Sequence, residues 1–282
     1  MISSITPETG WLDETYPYVR IGDGPKTLLV IPGLSDAMFD GEYGRTGAFL
    51  TWRGFGHFTD EYTVYVVSRP RGLSDDRTIE TMAHDYARVL ETHVGSASVL
   101  GISMGGLIAQ ELARIRPDLL ERLVVAVSGC RLAASSRPMG RKMREFAVER
   151  EWIDIQCQLH EAMFTGVRRR LYPAYSRTLG RLRPPEPASP RDVVVSIDAV
   201  LAYDGSDRLE EIEPRTLVIG ADDDPFFPEE ILRETHAGLP DAQLAMFRGA
   251  KHGVFLERKE AFDNWTKRFL EGETARVRDR AY

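Results

Sequence analysis

A chain of 282 residues with 43% hydrophobic and 28% charged side chains can bury one large core, or a core with a smaller insertion, which excludes a disordered or fibrous protein. The net charge of −7, with no acidic block, argues against nucleic acid as a partner. Two cysteines, Cys130 and Cys157, are too few for a disulfide framework and lack C-x-x-C spacing, so a reducing, cytoplasmic setting is expected.

Met1–Glu8 has neither a basic start nor a continuous apolar run, and no later segment reaches the length of a bilayer span, so neither export nor a membrane is expected. Residues before about Tyr16 show little periodicity, and Tyr18–Pro25 reads as a strand ending in a turn. Thr27–Ile31 is a continuous apolar run, the pattern of a strand covered on both faces. It ends in Pro32-Gly33-Leu34-Ser35. The polar stretch to His57 reads as a loop entering a short helix, whose Phe39, Tyr43, Phe49, Trp52 and Phe55 are expected to pack it on the sheet, with a site entrance as the alternative. Tyr62–Ser68 is another buried strand, followed by a loop over Arg69–Asp75. Ile79, Met82, Tyr86, Val89 and Leu90 then recur at helical spacing behind Asp76 or Thr78 as N-cap. His57, His84 and His93 read as structural or surface residues, since none belongs to a metal-ligand pattern.

Ser98-Val99-Leu100-Gly101-Ile102-Ser103-Met104-Gly105-Gly106-Leu107-Ile108-Ala109 reads as a short strand, a Gly-flanked serine and a helix. The G-x-S-x-G spacing suits a strained strand-to-helix turn, because a side chain at 101 or 105 would meet neighbouring backbone. Such a turn exposes the Ser103 hydroxyl and sets the Met104 amide at a helix N-terminus, where developing negative charge is favoured. Met104, Ile108, Leu112 and Ile115 form an apolar stripe on that helix, which Pro117 stops, and Leu123–Val127 is the next strand. Strands alternating with helices predict a mainly parallel sheet with right-handed crossovers.

Residues 130–207 read as helical, with a Pro-rich break at Arg183–Pro187 and a helix from Pro190 to about Tyr203, although Val193-Val194-Val195 also suits a strand. Between Cys130 and Gly205 thirteen Lys and Arg face nine Asp and Glu, a local excess of positive charge in an acidic chain. Strands resume at Thr216–Gly220 and Gln243–Phe247, with a helix from about Pro228 to Gly238 between them. A terminal helix carries Phe255, Phe262, Trp265 and Phe269 on one face, and the charged tail from Gly272 is expected to fray.

In motif and element order the chain resembles the α/β-hydrolases with a serine nucleophile. The resemblance implies a mainly parallel, doubly wound α/β sheet formed by 1–129 and 208–282, with a helical cap, 130–207, inserted after the sixth strand. Ser103 would be the nucleophile. Its base and acid would follow in the order Ser, Asp, His at the ends of late strands. His252, in the loop after the last strand, is the candidate base. For the acid, D-x-x-x-P counted back from Pro228 selects Asp224, whereas G-x-x-D counted from Gly220 selects Asp223; D-P-F-F-P favours Asp224. Relatives usually carry His-Gly where this chain has Pro32-Gly33, and the amide after that Gly, here Leu34, would join Met104 as oxyanion donor to the substrate.

These residues imply a serine hydrolase that cleaves a small carboxylic ester or lactone through an acyl-enzyme. A C–C bond hydrolase of dienoate-type substrates, or a binding module on the same fold, are the alternatives. Arginines of the basic segment, among Arg137, Arg141, Arg144 and Arg168, could meet a substrate carboxylate, against a plain reading as solvated charges. The partner implied is a small-molecule substrate. No Walker loop, dinucleotide fingerprint or metal-ligand set is present, so no cofactor and no metal are implied.

Overall fold

The computed structural model describes residues 7–273. The readings of Met1–Thr6 and of the tail from 274 lie outside them. The strands are β1 Glu8–Leu12, β2 Tyr16–Ile21, β3 Lys26–Ile31, β4 Tyr62–Val67, β5 Ala97–Ile102, β6 Leu120–Ala126, β7 Thr216–Ala221 and β8 Ala242–Phe247. The helices are α1 Arg45–Phe55, α2 Ile79–Val89, α3 Met104–Ile115, α4 Arg137–Glu149, α5 Trp152–Met163, α6 Arg168–Arg177, α7 Pro190–Ala202, α8 Glu229–Gly238, α9 Val254–Glu257 and α10 Lys259–Leu270.

The strands form a single sheet in the order β1-β2-β4-β3-β5-β6-β7-β8. β3 pairs parallel with both β4 and β5, and the parallel pairing continues through β6 and β7 to β8, while β2 joins β4 antiparallel. Alternation sorts the two faces. Leu29, Ile31, Val99, Val125 and Val218 share a core with the apolar faces of α2, α3 and α8. Leu28, Val30, Leu100, Val124 and Ile219 point the other way, toward Ala48 of α1 and Phe262 and Phe269 of α10. With helices on both faces, the parallel strands are buried twice over, which is why they read as unbroken apolar runs. Strand order reverses between β3 and β5, and ligand crevices in such sheets open outside the carboxyl ends of the strands at that reversal.

Between β6 and β7 the alternation is interrupted by α4, α5, α6 and α7. The two ends of this segment meet: the Gly205 amide donates to the Cys130 carbonyl at 2.9 Å, and Arg131 bridges to Asp204. Val193-Val194-Val195 lies inside α7, where Pro190 in the first turn and burial of Val193, Val195 and Ile197 outweigh β-branched stiffness.

The stretch before Tyr16 contains β1, paired antiparallel with β2 through a turn at Asp13 and Glu14. Its side chains are mostly solvent-facing, so it carries no apolar alternation. The terminal helix is two pieces, α9 and α10, broken at Arg258. Of the aromatics expected to pack α1 on the sheet, Tyr43 and Phe55 do lie against the core, but Phe49 and Trp52 are exposed and stacked on each other at 6.2 Å, and the buried residues of α1 are Ala48 and Thr51.

Glycine spacing is what lets α3 lie against the sheet. A Cβ on Gly105 would sit 2.1 Å from the Ile31 carbonyl oxygen, whereas one on Gly54, inside α1, would meet nothing within 4 Å. Gly105→Ala should therefore destabilise the fold by at least ~2 kcal/mol. Gly54→Ala should stabilise it by ~0.5 kcal/mol. Urea denaturation of both variants checks the pair; equal effects would contradict the packing described.

Candidate active site

Ser103 sits between β5 and α3 with φ 56° and ψ −121°, a left-handed conformation that few L residues adopt. Its amide donates to the Ala126 carbonyl at 2.9 Å, and its carbonyl accepts from Gly106 at 2.8 Å, so the turn is pinned from both sides. A Cβ on Gly101 would lie 2.3 Å from the Gly105 carbonyl oxygen. The two flanking glycines are thus a steric requirement of this turn.

The loops after β7 and β8 bring two more side chains to the same point. His252 Nε2 lies 2.9 Å from Ser103 Oγ, and His252 Nδ1 lies 2.7 Å from Asp224 Oδ2. The other Asp224 oxygen accepts the amides of Phe226 at 2.8 Å and Phe227 at 3.2 Å. Both side chains are buried, and the imidazole lies edge-on to Phe226 and stacked beside Phe227. With Asp224 accepting at Nδ1, that nitrogen carries the proton and Nε2 is left to accept from the serine hydroxyl. Of the neighbouring acids, Asp223 is exposed beside Lys251, and Asp222 accepts the Gly249 amide at 2.8 Å. Asp224, not Asp223, is the carboxylate at His252.

Leu34 and Met104 are the first residues of their helices, the short 3-10 turn Leu34–Met38 and α3. Amides at that position have no intrahelical acceptor. Gly33 brings the first of them close to the serine: a Cβ there would be 3.2 Å from Ser103 Cβ.

Above Ser103 lies a cavity of about 280 Å³. Its floor is Gly33, Leu34, Ser103, Met104 and His252. Its roof comes from the segment between β6 and β7, with Leu132, Met143, Leu159, Met163, Ile197 and Val200. Phe55 and Phe255 close the sides, so of the aromatics considered around α1 only Phe55 reaches the cavity. Among the described residues no charged side chain lines it. Arg144 is paired with Asp198, Arg137 donates to the Leu201 carbonyl, Arg168 faces Glu257, and Arg141 is exposed, so none of these four reaches the cavity to meet a substrate carboxylate. The Gly253 amide donates to the Met163 carbonyl at 2.9 Å, tying the His252 loop to the end of α5. Among the described residues no group of His, Cys, Asp and Glu is arranged to hold a metal ion, and no helix is long and apolar enough to cross a membrane.

A second polar cluster, which the sequence did not reveal, lies behind the Pro32–Leu34 loop. Asp36 is buried and accepts from Ser68 Oγ at 2.6 Å, from the Arg69 amide at 3.2 Å and from both terminal nitrogens of Arg71 at 3.2 Å. Ser68 in turn accepts from the Tyr43 hydroxyl at 2.8 Å. The buried Arg69 guanidinium, 3.5 Å from Asp36, reaches the Pro32 and Gly33 carbonyls. Asp36 and its partners lie more than thirty residues apart in sequence, and only Ser68, Arg69 and Arg71, clustered after β4, offered a trace of the site.

Residues 28–265 match the model of the alpha/beta hydrolase family. Among relatives, the chain is 32% identical over 211 residues to a Caulobacter segnis protein named "Putative carbamate hydrolase RutD", covering 69% of this chain and 73% of that one. It is 26% identical over 207 residues to the pimeloyl-[acyl-carrier protein] methyl ester esterase of Neisseria meningitidis serogroup C, covering 69% and 76%. Among solved structures, the enol-lactonase of Burkholderia xenovorans superposes with a TM-score of 0.75 at 19% identity, over 94% of this chain and 100% of that one.

The charge state of Asp36 sets a pH dependence. Burial alone would raise its carboxyl, but the Arg69 and Arg71 guanidiniums and the Arg71 and Ser68 hydrogen bonds outweigh burial and hold it below its ordinary value of 3.8. A carboxyl depressed in the folded state adds stability above its unfolded value, and that stability is lost as pH falls through the folded value. Asp36→Asn should therefore lose ~3–5 kcal/mol at neutral pH, having left a buried guanidinium short of its anion. The gap to wild type in urea denaturation should narrow below pH ~4; a gap that stays constant down to pH 3 would contradict this.

Proposed function

The chain belongs to the alpha/beta hydrolase family, and from that footing we propose that it is a serine hydrolase cleaving a small, neutral carboxylic ester or lactone through an acyl-enzyme. The observation that carries the reading is the run of hydrogen bonds from Ser103 Oγ through both nitrogens of His252 to Asp224. A serine hydroxyl attacks a carbonyl only when a base removes its proton, and the base needs a fixed tautomer and an anion behind it. In this mechanism Ser103 Oγ bonds to the carbonyl carbon while its proton passes to His252 Nε2. The imidazolium is stabilised by Asp224, which stays ionised. The amides of Leu34 and Met104 donate to the oxyanion. His252 then protonates the departing alcohol, and water attacks the acyl-enzyme by the same route, releasing the acid and restoring Ser103.

The cavity supports this substrate class. At about 280 Å³ it lies at the small end of ligand pockets. The lining, apolar and without a charged side chain among the described residues, stabilises hydrocarbon and offers a carboxylate no partner. That disfavours a dienoate-type substrate of C–C bond hydrolysis. In this reading α4 to α7 act as the cap that excludes water from the reacting centre. The names of the relatives point to the same reaction class, since a carbamate, a methyl ester and an enol-lactone each present an acyl carbonyl bearing a heteroatom leaving group. A binding module would have no use for a serine and histidine in hydrogen-bond contact.

With p-nitrophenyl butyrate as substrate, Ser103→Ala should lower kcat by on the order of 10⁶-fold while the melting curve is kept. Unchanged hydrolysis by that variant would refute the assignment. Asp224→Asn should cost ~10⁴-fold in kcat, because the imidazole tautomer is lost. Asp223→Asn, at an exposed position, should stay near wild type. Between a neutral ester and its carboxylate analogue, the neutral one should turn over faster at every ionic strength. A preference for the anion that fades with salt would overturn the substrate class.

A further inference from the structure

We propose that Arg69 is a positioning residue for the oxyanion site: its guanidinium fixes and polarises the peptide whose N–H is the Leu34 donor. This rests on the serine-hydrolase reading above and adds a residue to it that touches no substrate.

One peptide unit carries both the clamped carbonyl and the aimed donor. The Gly33 carbonyl and the Leu34 amide are its two ends, and because a trans peptide is planar they point in opposite directions. Whatever holds the carbonyl therefore aims the N–H. Arg69 Nη2 donates to the Gly33 carbonyl at 3.0 Å, and Arg69 Nη1 donates to the preceding carbonyl, Pro32, also at 3.0 Å. A planar fork on two successive carbonyls fixes both peptide planes, which a single point donor cannot do. A charged donor on the oxygen also draws electron density from the amide, making its N–H the stronger donor.

The clamp is itself immobile. Arg69 is 1% exposed, its own amide donates to Asp36 at 3.2 Å, and Asp36 is held by Ser68 and Arg71. Asp36 lies two residues beyond Leu34 in the same 3-10 turn, so the guanidinium holds the start of that turn and the carboxylate its middle. Arg69 itself is absent from the cavity lining. Its influence on the chemistry runs through the loop, and Gly33 lies so near Ser103 that a small movement of that loop alters the space above Oγ. The position matters because Pro32 contributes no amide hydrogen with which the loop could hold itself.

The competing view is that Arg69 merely staples the loop after β4 to the loop after β3. The two views separate in kinetics. A staple changes stability; an aimed donor changes the transition state and leaves the ground state alone. Arg69→Lys keeps the charge beside Asp36 but loses the fork. Its kcat on p-nitrophenyl butyrate should fall ~10–100-fold with KM unchanged. Its affinity for an alkyl trifluoromethyl ketone, which forms a hemiketal oxyanion on serine, should fall by the same factor as kcat/KM. Should a melting curve show that this variant does not fold, the charge-matched pair Arg69→Met with Asp36→Asn is measured in the same way. Wild-type kcat and ketone affinity in the folded variant, or a rise in KM alone, would overturn the role of Arg69. Wild-type protein that neither hydrolyses the ester nor binds the ketone would instead sink the serine-hydrolase reading, and this inference with it.

Discussion

With φ 56° and ψ −121°, Ser103 holds its backbone where an L side chain costs about 1–3 kcal/mol, and such strain persists only when the surroundings leave no alternative. Here the surroundings are backbone. Gly101 and Gly105 let the first turn of α3 touch β5 and the end of β3, closer than any Cβ would allow. That approach sets Ser103 above the reversal in strand order, with the loop of Gly33 on one side and the N-terminus of α3 on the other. The remaining groups are brought to this point by the parallel register, since β3, β5, β7 and β8 all end on the same side of the sheet.

Two electrostatic environments then adjoin each other. At Ser103 the cavity is apolar, and the polar groups facing it are few and hydrogen-bonded to one another; removing water makes each of those bonds stronger. Behind the Pro32–Leu34 loop, the Asp36 carboxylate is shared by the Arg69 and Arg71 guanidiniums in a largely buried charged cluster. The proposed neutral substrates rest on the first environment. The second keeps its charge out of the cavity and delivers order to the loop. Met163 and Gly253 join the roof to the His252 loop, so movement of α5 is felt by the imidazole.

Much of this was legible in the sequence, for reasons that can be named. Strands buried on both faces read as apolar runs, and the elbow reads as a motif because its steric demands fall on adjacent residues. β1 was hidden because an edge strand with solvent-facing side chains needs no apolar pattern. Two aromatics of α1 misled for the converse reason: Phe49 and Trp52 lie on the outer face, and small Ala48 with Phe55 brings the helix to the sheet. The basic character of residues 130–205 suggested an anion site, yet Arg144 is matched by Asp198 one helix away, a pairing that depends on how α4 packs on α7. Asp223 and Asp224 differ by one step along the chain and by opposite orientations in space. Local spacing gave two rulers; the buried amides of Phe226 and Phe227 distinguish the acids. The Asp36 and Arg69 cluster was not identified, because contacts across thirty residues leave no spacing pattern and the run Ser68, Arg69, Arg71 names no partner.

The central claim is that a hydroxyl at 103 becomes a nucleophile through its contact with His252, and mapping the site of covalent capture tests it most directly. The folded protein is treated with a fluorophosphonate, digested, and its peptides weighed. The account predicts a single adduct on the peptide containing Ser103, formed by wild type and lost when His252 is changed to Ala. An adduct on another residue, or capture of Ser103 that is as fast without the imidazole, would contradict it.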